Sequence, residues 1–435
     1  MKHLLNKIFT FFNSIQSQIA FYPTVLAALG FSFAFFMMYL EERGISKYLL
    51  ETVPVLVVDN GNTALTLLSS FITGLISMMV FSFSMVMVLL NQASSNYSPR
   101  LLPGLISDKN HQIILGIYLF TILYCIFILF SIQPTGDKYQ IPGFSVLLGI
   151  LFTVICICAF IYFIHNISQK IQINNILENI FRLSEKRLKY ILESEDREAV
   201  EFPDTSDWHE YHTEQTGYFQ NIALQNILDI CEKKNIQLHI LPVKGIFVLR
   251  GIPVFKSKEE LDKNTIDAIL SEFNFSRGEL IEDNYALAFK QITEIIVKAM
   301  SPGINDPGTA LNGIDYLTEL FALRMQKRDQ SVIISEDKSL IKLSTINFET
   351  LLFNVLASIR TYSKHDIILV QKLAVMFMYL KRQKASFSCY YDVIDQEAAT
   401  LLSDAKNIIS NKRDCEVIKG LAEKLGLNPE TFEKE

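Results

Sequence analysis

Charge is scarce in the first part of this chain. Residues 1–169 carry only seven Lys/Arg and six Asp/Glu, while residues 170–435 carry 33 and 40. An apolar first part is therefore joined to a soluble, mildly acidic second part. With a net charge of −6 no basic surface is implied, and nucleic acid is not an expected partner. Cysteine is also sparse: Cys125, Cys156, Cys158, Cys231, Cys389 and Cys415 include no CxxC pair. That argues against a disulfide framework or a zinc site and for reduced thiols. His209, Glu210 and His212 form HExH, one residue short of the helical HExxH spacing, so neither a metal nor a cofactor is expected. No cleavable signal is expected, because the first apolar run is too long and lacks a small-residue cleavage site. Catalytic groupings are missing too. There is no Ser/His/Asp arrangement, no carboxylate pair within a span and no phosphate-binding glycine loop, so no enzyme activity is expected.

Long hydrophobic runs are what the first part does contain. A bilayer core about 30 Å thick needs roughly 20 apolar residues in a helix. Four stretches qualify, at about Ile19–Leu40, Thr63–Leu90, Gln112–Ser131 and Gly143–His165, and none contains Asp, Glu, Lys or Arg. Lys2 and Lys7 precede the first, Arg100 and Lys109 separate the second and third, and Lys170, Arg182, Lys186, Arg187 and Lys189 follow the fourth. The positive-inside bias then puts both termini in the cytoplasm.

The second stretch has a polar seam. Thr63, Ser70, Ser77, Ser84, Asn91 and Ser98 recur every seven residues, and Thr66, Thr73, Val80, Met87 and Ser94 recur in a second row offset by three. Such a heptad keeps the seam turned to one neighbour. Residues 63–98 predict a single helix of about 54 Å, at 1.5 Å per residue, that outruns the bilayer and stops before Pro99. Two uses fit. Small and hydroxylated residues let membrane helices pack closely and hydrogen-bond, and seams from several subunits would line a wet path.

The chain divides into a four-helix membrane domain (1–169), a connecting helix and linker (170–216), a small α+β domain (217–282), a helical domain (283–385) and a charged helical tail (386–435). In the α+β domain GIFVLRGIPVF predicts a β-hairpin similar to those of biotinyl and lipoyl-type domains, without an exposed Lys at a modifiable turn. A helix over Asn284–Met300 should stop before Pro302, with Gly303 taking the left-handed closing conformation. Asp306 and Pro307 suit the N-cap and N1 positions of the next helix. Ser301, Gly303, Asn305, Asp306 and Thr309 therefore form either a capped corner or a ligand or interface site. Further helices are expected at about Glu349–Thr361 and His365–Lys384, the second apolar on more than one face, which suggests subunit contact.

ASSNYSPRLL (Ala93–Leu102) before the third span, GYFQNI with FVLRGIPV, and AFKQITEIIVKAMSPGINDPGTA (Ala288–Ala310) together resemble the bacterial predicted membrane proteins of domain-of-unknown-function family 2254. The resemblance covers about residues 20–385. It implies four membrane helices and a cytosolic domain, and no particular activity. Ser94, Ser95, Ser98, Pro99 and Arg100, at the membrane–cytosol junction, match the family pattern. So do Ser301, Pro302, Gly303, Asn305, Asp306, Pro307 and Thr309. Asn91 and Lys298 depart from it, at positions where the family carries Gln and Arg. The expected partners are the lipid bilayer and further copies of the chain, with any ion or ligand unspecified. The leading functional expectation is an oligomeric channel- or transport-related protein. The alternative is a membrane-anchored sensor or scaffold.

Overall fold

The computed structural model describes residues 20–52, 58, 60–96, 109–132, 141–170, 172–194, 202–276, 284–329, 331–335 and 338–428. The chain forms two compact units that meet in sequence at residue 172.

The first unit contains α1 (Phe21–Glu42), α2 (Ile45–Thr52), α3 (Gly61–Asn96), α4 (Lys109–Ser131) and α5 (Gly143–Lys170). All but the short α2 are long and apolar enough to cross a membrane. Helix α3 runs unbroken for 36 residues. Helix α4 is central and packs against α1, α3 and α5. Its contact with α1 depends on a missing side chain: a Cβ at Gly30 would lie 2.5 Å from the Phe120 carbonyl oxygen. Small residues let helices approach this closely where burial alone gives no driving force. Phe33, Phe120, Tyr124 and Phe152 fill the space between α1, α4 and α5, with ring centroids 5.2–6.1 Å apart.

One end of this bundle is tied by polar groups. A Glu41 carboxylate oxygen accepts from the Ser145 backbone N–H at 2.9 Å and from its hydroxyl at 2.6 Å. The Ser46 hydroxyl oxygen accepts from the Phe144 N–H, and the Tyr124 hydroxyl donates to the Ser145 carbonyl, both at 2.9 Å. The Glu41 and Ser46 contacts satisfy first-turn amides of α5 that have no partner inside their own helix. A carboxylate also suits the positive end of the helix dipole.

The second unit starts with α6 (Ile173–Ser194), followed by β1 (His209–His212), β2 (Gly217–Ile222), α7 (Leu224–Lys234), β3 (Leu238–Ile240), β4 (Phe247–Val248), β5 (Pro253–Ser257), α8 (Lys263–Leu270) and β6 (Phe273–Ser276). Then come α9 (Tyr285–Ala299), α10 (Pro307–Arg324), β7 (Ser331–Ser335), β8 (Lys338–Leu343), α11 (Phe348–Ser363), α12 (Ile367–Leu380), α13 (Cys389–Ile408) and α14 (Lys412–Leu425). A five-stranded sheet has the order β1-β5-β3-β8-β7, and a three-stranded sheet the order β4-β2-β6. Among the described residues only the β3–β8 pairing is parallel. Phe219, Ile227, Leu238, Phe255, Phe273 and Ile341 are buried at the centre of the α/β core.

Two expectations fail here. The GIFVLRGIPVF stretch is not a hairpin: β4 pairs with β2, while β5 pairs with β1 and β3 in the other sheet. Gly251, with φ +81°, turns the chain between the two sheets. The second concerns α12, whose two apolar sides do not call for another subunit. Helices α13 and α14 of the same chain cover it, burying Ile394, Leu401, Leu402, Ile418 and Leu421.

Candidate functional site

Helix α3 has two heptad rows on opposite sides. Gly61, Leu68, Leu75 and Ser82 are buried, together with Ala64, against the rest of the first unit. The polar row is two residues ahead, about 200° around a helix of 3.6 residues per turn. Thr63, Ser70, Ser77, Ser84 and Asn91 are all exposed, and so are Thr66, Thr73, Val80 and Met87 of the offset row. Among the described residues the seam is thus not a packing face. Part of its polarity is met locally. The hydroxyls of Thr66, Thr73 and Ser77 donate to the carbonyls of Asn62, Ser69 and Thr73 at 2.9, 3.0 and 2.9 Å. Ser94 ends the row within α3; Ser98, Pro99 and Arg100 lie outside the described residues.

The loop between α9 and α10 is built as a corner. The Asp306 side chain accepts from the Thr309 N–H at 3.1 Å and from its hydroxyl at 2.6 Å, and Pro307 opens α10. The Ser301 carbonyl accepts from the amides of Ile304 and Asn305, and the Ala299 carbonyl from the amide of Asp306. The left-handed residue is Asn305, at φ +48°, and not Gly303. Ser301 stays half-buried and hydrogen-bonds back to the Lys298 carbonyl at 2.7 Å, while Pro302–Gly308 are exposed and Thr309 is buried. Left-handed backbone costs an L-residue about 1–2 kcal/mol, least for Asn and nothing for Gly. Asn305→Val should therefore lower stability by about that amount, and Asn305→Gly should leave it unchanged, as read by urea unfolding of the purified protein.

A cleft of about 1010 Å³ lies elsewhere in the second unit. Its walls are α9, α11, the segment before β4 (Val243–Ile246) and the turn at Thr345–Asn347. No residue of the 301–309 loop lines it. Nothing local in the sequence marks this cleft, because three distant segments make it.

One further grouping has the outline of a serine–histidine pair. His239 Nε2 lies 3.0 Å from the Ser344 hydroxyl, and Nδ1 lies 2.8 Å from the Thr205 hydroxyl. Burial, then the charges of Lys342 and Lys256, push the His239 pKa down to about 4. An imidazole that weak as a base does not activate a hydroxyl. It serves as a neutral clamp between the segment before β1 and the residue after β8.

The DUF2254 family, described as predicted membrane proteins, matches residues 16–378. The chain belongs to DUF2254. The match takes in the α3 seam, the 301–309 corner and the cleft. Helices α13 and α14 of this DUF2254 protein lie beyond it. An uncharacterized protein of Mycobacterium bovis is 24% identical over 310 residues, covering 67% of this chain and 58% of the relative. Uncharacterized proteins from two strains of Mycobacterium tuberculosis match at the same identity and coverage. The chain thus spans less than two thirds of these relatives. No solved structure matches.

Proposed function

We propose that this DUF2254 protein forms a homo-oligomeric, channel- or transport-related assembly in a bacterial inner membrane, with the α3 seam turned to the neighbouring subunit and the path. The supporting observation is the outward row Thr63, Ser70, Ser77, Ser84 and Asn91, on the side of α3 opposite its buried row. Lipid offers a hydroxyl no hydrogen-bonding partner beyond its own helix, whereas a second polar seam offers many. The loop-charge bias supports a cytoplasmic position for both termini. The corner at 301–309 is self-satisfied by capping and needs no ligand to hold its shape.

The subunit count of detergent-purified protein, read by native mass spectrometry, tests the proposal. A closed ring is expected for the natural sequence. Ser77→Leu with Ser84→Leu should lower the count, or change flux in liposomes, at unchanged helix content. A monomeric natural protein would rule the assembly out.

A further inference from the structure

We propose that the cleft between α9 and α11 binds an apolar chain ending in an anionic group. The walls are mainly hydrocarbon: Val243, Ile246, Leu287, Val297, Ile346 and Val355. Ligand sites of this size are typically apolar with a few placed polar groups. Most polar side chains here are already committed to the protein. The hydroxyls of Thr293, Ser358 and Thr361 donate to the carbonyls of Phe289, Asn354 and Ala357 in their own helices. Asn284 and Asn347 cap α9 and α11 through their side-chain oxygens, and the Asn284 amide also donates to the Lys244 carbonyl. Such groups hold the walls in place, while Thr350, Asn354 and Tyr362 add a few placed polar groups to the lining.

Charge decides the ligand's remaining end. The ionisable groups facing the cleft are Lys244, Lys290, Glu294 and Tyr362. Lys244 and Glu294 are engaged within the chain, whereas Lys290 makes no hydrogen bond or ion pair among the described residues. Lys290 is exposed on the α9 wall, where an ammonium group faces an anion at the rim while the apolar walls take the chain. Ile246 lines the cleft and is more than half exposed, so an apolar side chain at the cleft wall is open to solvent. Two sources share the chemistry: a free fatty acid and an anionic diacyl lipid.

The full chain in lipid nanodiscs is the material for the test. The probes are photoreactive diazirine analogues of palmitate and of phosphatidylglycerol, with adducts mapped by mass spectrometry of peptides. Adducts on the peptides of α9 and α11 are expected from at least one probe, and which one labels identifies the source. Excess unlabelled palmitate or phosphatidylglycerol should suppress them, and hexadecanol, the uncharged analogue, should not. Lys290→Glu should cut labelling at these peptides by roughly tenfold or more, one decade per about 1.4 kcal/mol. The substitution is on an exposed side chain, so it should leave folding intact. Ala357→Trp should abolish labelling by filling the cleft. Adducts confined to α1, α3, α4 and α5, equal suppression by hexadecanol, or undiminished labelling of Lys290→Glu would each overturn the proposal.

Discussion

Arg324→Met should shift the urea unfolding midpoint of the second unit further than any surface substitution, and should open the α10–α11 junction to limited proteolysis. Arg324 ends α10 with its side chain fully buried. Its guanidinium donates to the carbonyls of Lys327 and Ile346 at 3.0 and 2.9 Å and to an Asp329 carboxylate oxygen at 2.5 Å. The same Asp329 oxygen accepts from the Phe348 N–H at 2.9 Å, the first amide of α11. One cation thus fastens the end of α10 to the start of α11. Removing one partner of a buried ion pair costs about 3–5 kcal/mol. The Ile346 carbonyl left without this donor adds about 1–3 kcal/mol, while the Lys327 carbonyl keeps the Tyr390 hydroxyl. Domains hold only about 5–15 kcal/mol in total. Arg324→Lys keeps the charge but has no planar fork to serve three acceptors at once, so an intermediate midpoint is expected. An unchanged midpoint for Arg324→Met would show that the network carries little of the stability.

Arg324 also shows where reading the sequence stops. Nothing in its immediate neighbours, Leu323 and Met325, separates it from the charged residues that cover the exterior. Its burial is decided by residues later in the chain, Lys327, Asp329 and Ile346, which close over its guanidinium. The four long apolar helices are legible because crossing a bilayer imposes a local rule, roughly 20 residues without charge. The 301–309 corner is legible for a similar reason, since Asp306, Pro307 and Thr309 meet a local demand for capping. The exchange between Gly303 and Asn305 arises inside that local pattern. Both residue types tolerate positive φ, and the turn onto the Ser301 carbonyl places the reversal at Asn305.

Pairing between distant strands is not legible in this way. Strands β3 and β4 have three and two residues, too short for an alternating pattern. Strand β3 meets β8 about a hundred residues later. The apolar excess of α12 was correctly a sign of double-sided burial, but its cover comes from α13 and α14, whose charged outer faces resemble a solvated tail. The α3 seam is legible as a pattern. That it faces outward follows only from the buried row behind it.

Glu397→Leu and Arg360→Leu should each destabilise the second unit by about 3–5 kcal/mol, while Arg360→Met combined with Glu397→Leu should be neutral or stabilising by about 1–4 kcal/mol. Arg360 on α11 and Glu397 on α13 approach at 3.4 Å, and each side chain is only 10% exposed. The contact is loose for a buried pair: Arg360 Nε and Nη1 and Glu397 Oε2 make no hydrogen bond among the described residues. Each single replacement leaves the other charge buried without its partner, whereas the double replacement removes both desolvation costs. Burial raises the Glu397 pKa above its ordinary value, and the Arg360 charge opposes that rise less strongly. A raised folded pKa means that the folded state binds the proton more tightly than the unfolded state. The resulting stabilisation is complete below the unfolded value and is lost as pH rises through the folded one. The natural protein should therefore lose stability over that upward interval, and the double variant should lack this component of the slope. Urea midpoints across the interval measure both effects. If the double variant falls as far as the singles, the pair contributes net stability and its loose geometry is not a weakness.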